Sequence, residues 1–300
     1  MIRPTPKQPE TSNDHWSNPT LSNIPDTVNW IIEHVFEPEK ITNQKSSLFV
    51  YPARGGIVTS LVLNGIEILY QSMLDETLHD ISKNVKWGIP IMFPNAWPLS
   101  KEVKEKSLLT LPQHGFARTN TWTLWKISDT QIEQSLEWTD IVDNWNYPFE
   151  GTLHNSIILD TPNSCSFEYT ITNNSENPLP VAFWLHPYFD VPEWKKEEIE
   201  WLFEWGDKIK NEIENWSNDG TTYLDIPEDK IIKLKIPWVG TVRIEVSADF
   251  KRLWIWSLPG KNFVCVEPVF WDEDTLVNES CIQIAWKSFL KSSMHISLEK

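Results

Sequence analysis

The sequence predicts an all-β protein folded as one large antiparallel β-sandwich. Three observations carry the prediction. Apolar and polar residues alternate in run after run along the chain, the pattern of strands with one face in a core and one face in water. Clusters of Asn, Ser, Pro and Gly separate those runs, and these residues form tight turns. Helical spacing is thin, and many strands with no obvious linker make one large β-sandwich the expected architecture.

Residues 1–28 are polar and proline-rich and are expected to form a flexible or loosely docked arm. Residues 29–300 contain no obvious linker and are expected to form a single β-sandwich domain. GGIVTSLVLNGIEILY sets Asn64-Gly65 between two apolar runs. A type I′ hairpin turn needs positive φ at both central residues, which Asn-Gly tolerates. In SCSFEYTIT, Cys165, Phe167, Tyr169 and Ile171 share one face, with Ser166, Glu168 and Thr170 on the other. TNNSENPLP (172–180) reads as a turn locked by side chains. AFWLHPYFDV puts Ala182, Trp184 and His186 on one strand face, and Pro187, lacking an N–H, is expected to end the ladder there. DKIKNEIENW (207–216) has helical spacing at Ile209, Ile213 and Trp216. In GTVRIEVSADF, Val242, Ile244, Val246 and Ala248 oppose Arg243, Glu245 and Ser247. KLKIP, RLWIWSL, FVCVEPV and IQIAW extend the series of strands.

Composition narrows the function. A hydrophobic fraction of 40% in 300 residues supports a substantial core. The formal charge of -16 repels phosphate backbones, so no nucleic-acid partner is expected. No apolar run is long enough to span a membrane, and the N-terminus lacks the apolar centre of a signal peptide, so a cytoplasmic location is expected. Cys165, Cys265 and Cys281 sit among apolar residues without CxxC spacing and read as reduced core thiols. The 18 tryptophans fill cores, and the excess also suits stacking on sugar rings.

Of the seven histidines, none forms an HxH, HExxH or Cys/His cluster, so a metal site is not indicated. Two have richer settings. His114 in LPQHGFAR precedes a glycine that allows a sharp turn or a close approach, and Arg118 offers a planar fork of donors. It reads either as a loop histidine satisfied by backbone or as a binding residue. His186, at the end of its strand, is either a core histidine with its N–H satisfied or a functional group. Glu267 in FVCVEPVFW shares its strand face with Phe263 and Cys265. A carboxylate on an apolar face is costly unless paired or functional. It reads as a buried ion pair, with Arg118 as one partner, or as a base whose pKa burial raises. Glycoside hydrolysis normally sets two carboxylates across the scissile bond, and only Glu267 stands out here.

Four segments, in order along residues 50–290, resemble the motifs of one superfamily, that of the sugar mutarotases (aldose 1-epimerases). GIPIMFPNAWPL resembles its GIPxxFP segment, and LPQHGFAR its HGFAR motif. NNSENPLPVAFWLHPYFDV resembles its N-x-S-x-x-P-x-P turn leading to HPYF, and LPGKNFVCVEPVFW its PGxxFxCxEP segment. The resemblance implies a large antiparallel β-supersandwich of the galactose mutarotase type, with no metal or organic cofactor. It implies an isomerase that interconverts the α and β anomers of a hexose, with Glu267 as general base and His186 as general acid. In these terms His186 holds a proton near neutrality if a neighbouring negative charge raises its pKa. His114 and Arg118 would orient sugar hydroxyls, and Trp184 would wall the site. Lys86 stands where the hexose-6-phosphate 1-epimerase branch carries an arginine, and Asn95 begins the segment in which other branches carry one. Both are expected to contact substrate. A neutral hexose is favoured, with hexose 6-phosphate, or a non-catalytic sugar-binding role, as alternatives. A monomer or weak homodimer is the expected assembly.

Overall fold

Alternation does most of the work of building this protein. The computed structural model describes residues 38–299 apart from 79, 81–82, 102–103, 106–110, 139–146, 214–219, 271–275 and 277–280. All of these lie in one unit, Phe36–Lys300. The arm expected at residues 1–28 lies outside the described residues, as do His15, His34 and His79.

In chain order the strands are β1 (Glu39–Asn43), β2 (Ser46–Tyr51), β3 (Ile57–Leu63), β4 (Ile66–Glu67), β5 (Ile91–Met92), β6 (Thr123–Ser128) and β7 (Gln131–Trp138). There follow β8 (Gly151–Thr161), β9 (Ser164–Asn173), β10 (Leu179–Val181), β11 (Trp184–Leu185), β12 (Tyr188–Asp190) and β13 (Glu200–Trp201). The last are β14 (Gly220–Asp225), β15 (Ile231–Ile236), β16 (Gly240–Val246), β17 (Arg252–Ser257), β18 (Phe263–Val269), β19 (Ile282–Ile284) and β20 (Phe289–Glu299). Among the described residues, α1 (Leu74–Thr77), a single turn, and α2 (Gly206–Ile213), of eight residues, interrupt them, and Lys101, Lys104 and Glu105 are also helical.

The strands form an eight-stranded sheet, β13-β15-β16-β20-β9-β8-β7-β6, and a six-stranded sheet, β14-β17-β18-β11-β5, with β12 also paired to β18. A four-stranded sheet, β1-β2-β3-β4, and a β10-β19 pair complete the set. Every pairing within the sheets is antiparallel. The expected faces hold. Cys165, Phe167, Tyr169 and Ile171 of β9 are buried while Glu168 is exposed, and Val242, Ile244 and Val246 of β16 are buried. Each fully buried aliphatic or Phe side chain stabilises the fold by roughly 1.5–3 kcal/mol. The three cysteines are buried and free.

Turns follow their residue chemistry. Asn64 and Gly65 have φ of 52° and 83°, and Val62 pairs with Glu67 across the hairpin they close. In the β9–β10 connection, Asn173 Oδ1 accepts from the Ser175 N–H at 2.8 Å, and its Nδ2 donates to the carbonyls of Asn177 and Ile284, each at 2.8 Å. The helix expected at 207–216 is α2, which buries Ile209; residues 214–219 are not described.

The six-stranded sheet has two unlike faces. Phe183, Leu185, Leu253, Ile255, Val264 and Val266 join the main core. On the opposite face Met92, Trp184, Trp254 and Val269 form a separate cluster with Ala96. That second face carries the site.

Candidate active site

Residues at alternate positions on neighbouring strands reach the same side of the six-stranded sheet and line a cavity of about 220 Å³. Trp184, His186 and Tyr188 come from the β11–β12 segment, Glu267 from β18, Trp254 and Trp256 from β17, and Thr221 from β14. The His186 ring is stacked between its i±2 neighbours, with Trp184 at 5.3 Å and Tyr188 at 4.6 Å between centroids. This regular stacking shows that strand periodicity runs through Pro187. β11 ends at Leu185, so His186 follows a strand end as expected, and the chain resumes as β12 beyond Pro187. His186 sits between β11 and β12, both of which pair with β18. Pro187 lacks a donor, but its carbonyl still accepts from Val266 N–H at 3.3 Å, so the chain keeps its register. Glu267 lies inside β18, opposite Trp254 of β17. Pro268 supplies no N–H where its i±2 neighbours Val266 and Phe270 donate to the carbonyls of Pro187 and Phe183.

His186 Nε2 and Glu267 Oε1 are 3.5 Å apart, and both side chains are almost wholly buried. Burial raises the Glu267 pKa well above the usual carboxylate range, countered in part by the Trp184 indole N–H. That N–H lies toward the carboxylate without making a hydrogen bond that satisfies it. The His186 pKa is pushed well below its usual value, by burial first and then by the nearby His114 and Arg118. The expectation that an acidic neighbour raises it is thus reversed, because burial, His114 and the Arg118 guanidinium all lower it. Nor does Arg118 pair with Glu267. It donates to Asn84 Oδ1 at 3.0 Å and to the Gln113 carbonyl at 3.4 Å.

The opposite wall comes from two loops. Gly115 has a φ of 65°, and a Cβ there would lie 1.9 Å from the Phe93 carbonyl oxygen, so only glycine allows this approach. His114, with a φ of 69°, turns its Nδ1 onto the Ala96 carbonyl at 2.7 Å. A carbonyl only accepts, so Nδ1 carries the proton. Burial, Arg118 and the counteracting Ala96 bond together lower the His114 pKa to about 3. Its Nε2 is then a bare acceptor at neutral pH. On the other loop, the buried Arg54 donates to the carbonyls of Asp80 (2.9 Å) and Lys83 (2.7 Å), just before Asn84 and Lys86.

A family model described as aldose 1-epimerase matches residues 40–237. The chain belongs to the aldose 1-epimerase family. Its fold is shared with a protein from Synechocystis sp. PCC 6803, at 23% identity and a TM-score of 0.76, covering 88% of this chain and 96% of that one. A galactose mutarotase-like protein from Clostridium acetobutylicum matches at 16% identity and a TM-score of 0.69, over 88% and 98% of the two chains. Another from Lactobacillus casei ATCC 334 matches at 19% and 0.66, over 88% and 100%. At these identities the likeness carries the fold. No curated protein sequence matches. The expected all-β fold of the galactose mutarotase type is the one observed.

Against this aldose 1-epimerase fold, His186, Glu267, His114, Arg118, Lys86 and Trp184 all line the cavity. Asn95 does not. It is buried behind the wall, where its Nδ2 donates to the carbonyls of Trp97 (2.8 Å) and Pro112 (2.9 Å) and ties its own loop to the one that carries His114. An amide beside tight turns serves the backbone before it serves a ligand. Sequence reasoning missed Tyr188, Trp97, Trp254 and Trp256. The available signal was parity: Tyr188 is two residues beyond His186, and RLWIWSL repeats tryptophan at i and i+2. The indole N–H groups of Trp97, Trp184 and Trp254, Arg118 Nε and His186 Nδ1 are buried without partners. Such groups suit a ligand rich in oxygen. Among the described residues, His186, Cys265 and Glu267 could also hold a metal, their donor atoms lying within 4.8 Å of one another. Burial raises the Cys265 thiol pKa well above its usual value, so an ion would have to displace a proton there. No helix among the described residues is long and apolar enough to cross a membrane.

Proposed function

We propose that the protein is a sugar 1-epimerase that interconverts the α and β anomers of a hexose at the His186–Glu267 pair. The supporting observation is that a buried acid and a buried base, 3.5 Å apart, face one aromatic cavity. They are close enough to address two oxygens borne by the same carbon. The pair carries one mobile proton. With the proton on Glu267 both groups are neutral, and with it on His186 they form an ion pair of the same net charge. Desolvation favours the neutral form, while the Trp184 N–H and incoming hydroxyls favour the carboxylate.

In the armed form Glu267 takes the proton from the anomeric hydroxyl. The C1–ring oxygen bond breaks, its electrons stay on the ring oxygen, and His186 protonates that oxygen. The aldehyde turns about C1–C2 and the two transfers run in reverse on its other face. His114 Nε2 accepts a sugar hydroxyl, Arg118 donates to another, and the tryptophans pack on the apolar ring face. The test is the optical rotation of freshly dissolved α-glucose or α-galactose. The protein should speed its relaxation, and Glu267→Gln should lose about 10²–10⁴-fold of that gain. Sugar binding by calorimetry with no gain over spontaneous mutarotation would instead make the protein a sugar-binding module.

A second reading, hexose 6-phosphate as substrate, is favoured by Lys86 and Arg118 on one cavity. Lysine holds a phosphate as a point charge, without the arginine fork. If it holds, Lys86→Met lowers kcat/KM for glucose 6-phosphate and spares glucose. Equal loss for both sugars leaves the neutral hexose as substrate.

A further inference from the structure

A second cavity, of about 600 Å³, adjoins the first and shares Trp254 with it. The shared residue is a consequence of register. Trp256 pairs with Thr221, Trp254 with Tyr223, and Arg252 with Asp225, so all six lie on the face that carries His186 and Glu267. Thr221 lines the first cavity, and Tyr223, two residues along β14, lines the second. The face thus runs unbroken from the catalytic pair toward β14 at the sheet edge.

The second cavity is furnished like the first. Tyr223 is half exposed, and its ring stands edge-on to Trp254 at 5.3 Å between centroids. The Trp205 indole N–H is buried and has no acceptor. Asp225 and Arg252, joined in an ion pair, and Lys208 add polar groups at the margin. Aromatic faces with an unmatched donor and a charged rim suit a ring that is apolar on its faces and hydroxylated at its edge.

We propose that this cavity is a second saccharide subsite, so that the ligand is a reducing oligosaccharide with its terminal unit between His186 and Glu267 and its next unit against Tyr223. The inference rests on the epimerase reading for the placement of C1. Because O1 must stay free for ring opening, the second unit is joined through another oxygen of the first.

The test compares glucose with maltose and isomaltose, joined through O4 and O6, as mutarotation substrates of the full chain. At least one disaccharide should have a kcat/KM about threefold to tenfold above glucose, the scale of one aromatic stacking contact. Tyr223→Ala should bring that ratio close to one and leave glucose unchanged. Neither disaccharide exceeding glucose, or Tyr223→Ala lowering all three alike, would overturn the subsite. If no sugar relaxes faster with the protein than without it, the epimerase reading fails. Calorimetry with the same three sugars then decides the subsite alone. Tighter disaccharide binding that Tyr223→Ala removes supports it, and equal binding overturns it.

Discussion

Glu267 and His186 are each driven by burial toward the uncharged form, yet the pair needs one proton to work. It gains a second proton only below the depressed His186 pKa, and loses its proton only above the raised Glu267 pKa. These limits belong to the pair rather than to either residue. The acid limb of kcat/KM, corrected for spontaneous mutarotation, should therefore lie below 6.5, the ordinary histidine value. An acid limb at or above that value would contradict the assignment. His114 makes a stability prediction. Its pKa is about 3 in the fold against 6.5 ordinarily, so between those values the unfolded chain binds a proton that the folded chain does not. The associated stability is complete above about pH 6.5 and falls as pH drops toward 3, by at most ~1.4 kcal/mol per pH unit. Thermal melts across that range should show a smaller acid loss in His114→Asn, which tolerates the same positive φ. At this scale Glu267 was legible because a carboxylate on an apolar strand face breaks the pattern. The cavity tryptophans were not, because an aromatic in an apolar strand obeys it. Asn95 misled for a related reason: a polar side chain in a motif segment gives no sign of whether it bonds backbone or ligand.

Strands position these groups, and loops close over them. The alternation of β9, β16, β17 and β18 was readable because one face of each is mainly apolar. The strand character beyond Pro187 was not. Proline removes one donor, but stacking of Trp184, His186 and Tyr188 and the surviving carbonyl contact carry the register onward. Two glycines separate turn strain from close approach. Gly65 has a φ of 83° with open space around its missing Cβ, whereas a Cβ on Gly115 meets the Phe93 carbonyl. Gly65→Ala should cost only the left-handed penalty, about 1–2 kcal/mol, without changing sugar kinetics. Gly115→Ala should cost more in denaturant unfolding and also raise KM, since His114 and the Ala96 contact move with it. Equal effects of the two substitutions would show that the Gly115 approach does not position His114.

Across the whole molecule, the sandwich was legible because antiparallel sheets write their burial into period-2 sequence, and four ordered motifs tied that fold to one family. The cavity was less legible, because it is assembled from several strands and loops whose order in the sheet cannot be read from their order in the chain. The chain carries a net charge of -16, yet Lys86 and Arg118 both line the cavity. The proposed function unites these levels in one proton path through His186 and Glu267. Residues that act as a unit are non-additive when removed together. The most direct measurement is the polarimetric relaxation of fresh α-glucose with the wild type, His186→Asn, Glu267→Gln and the double variant, each checked for native melting. Both single variants should lose about 10²–10⁴-fold, and the double variant should lose little more than either. Relaxation by Glu267→Gln at the wild-type rate would contradict the proton path outright.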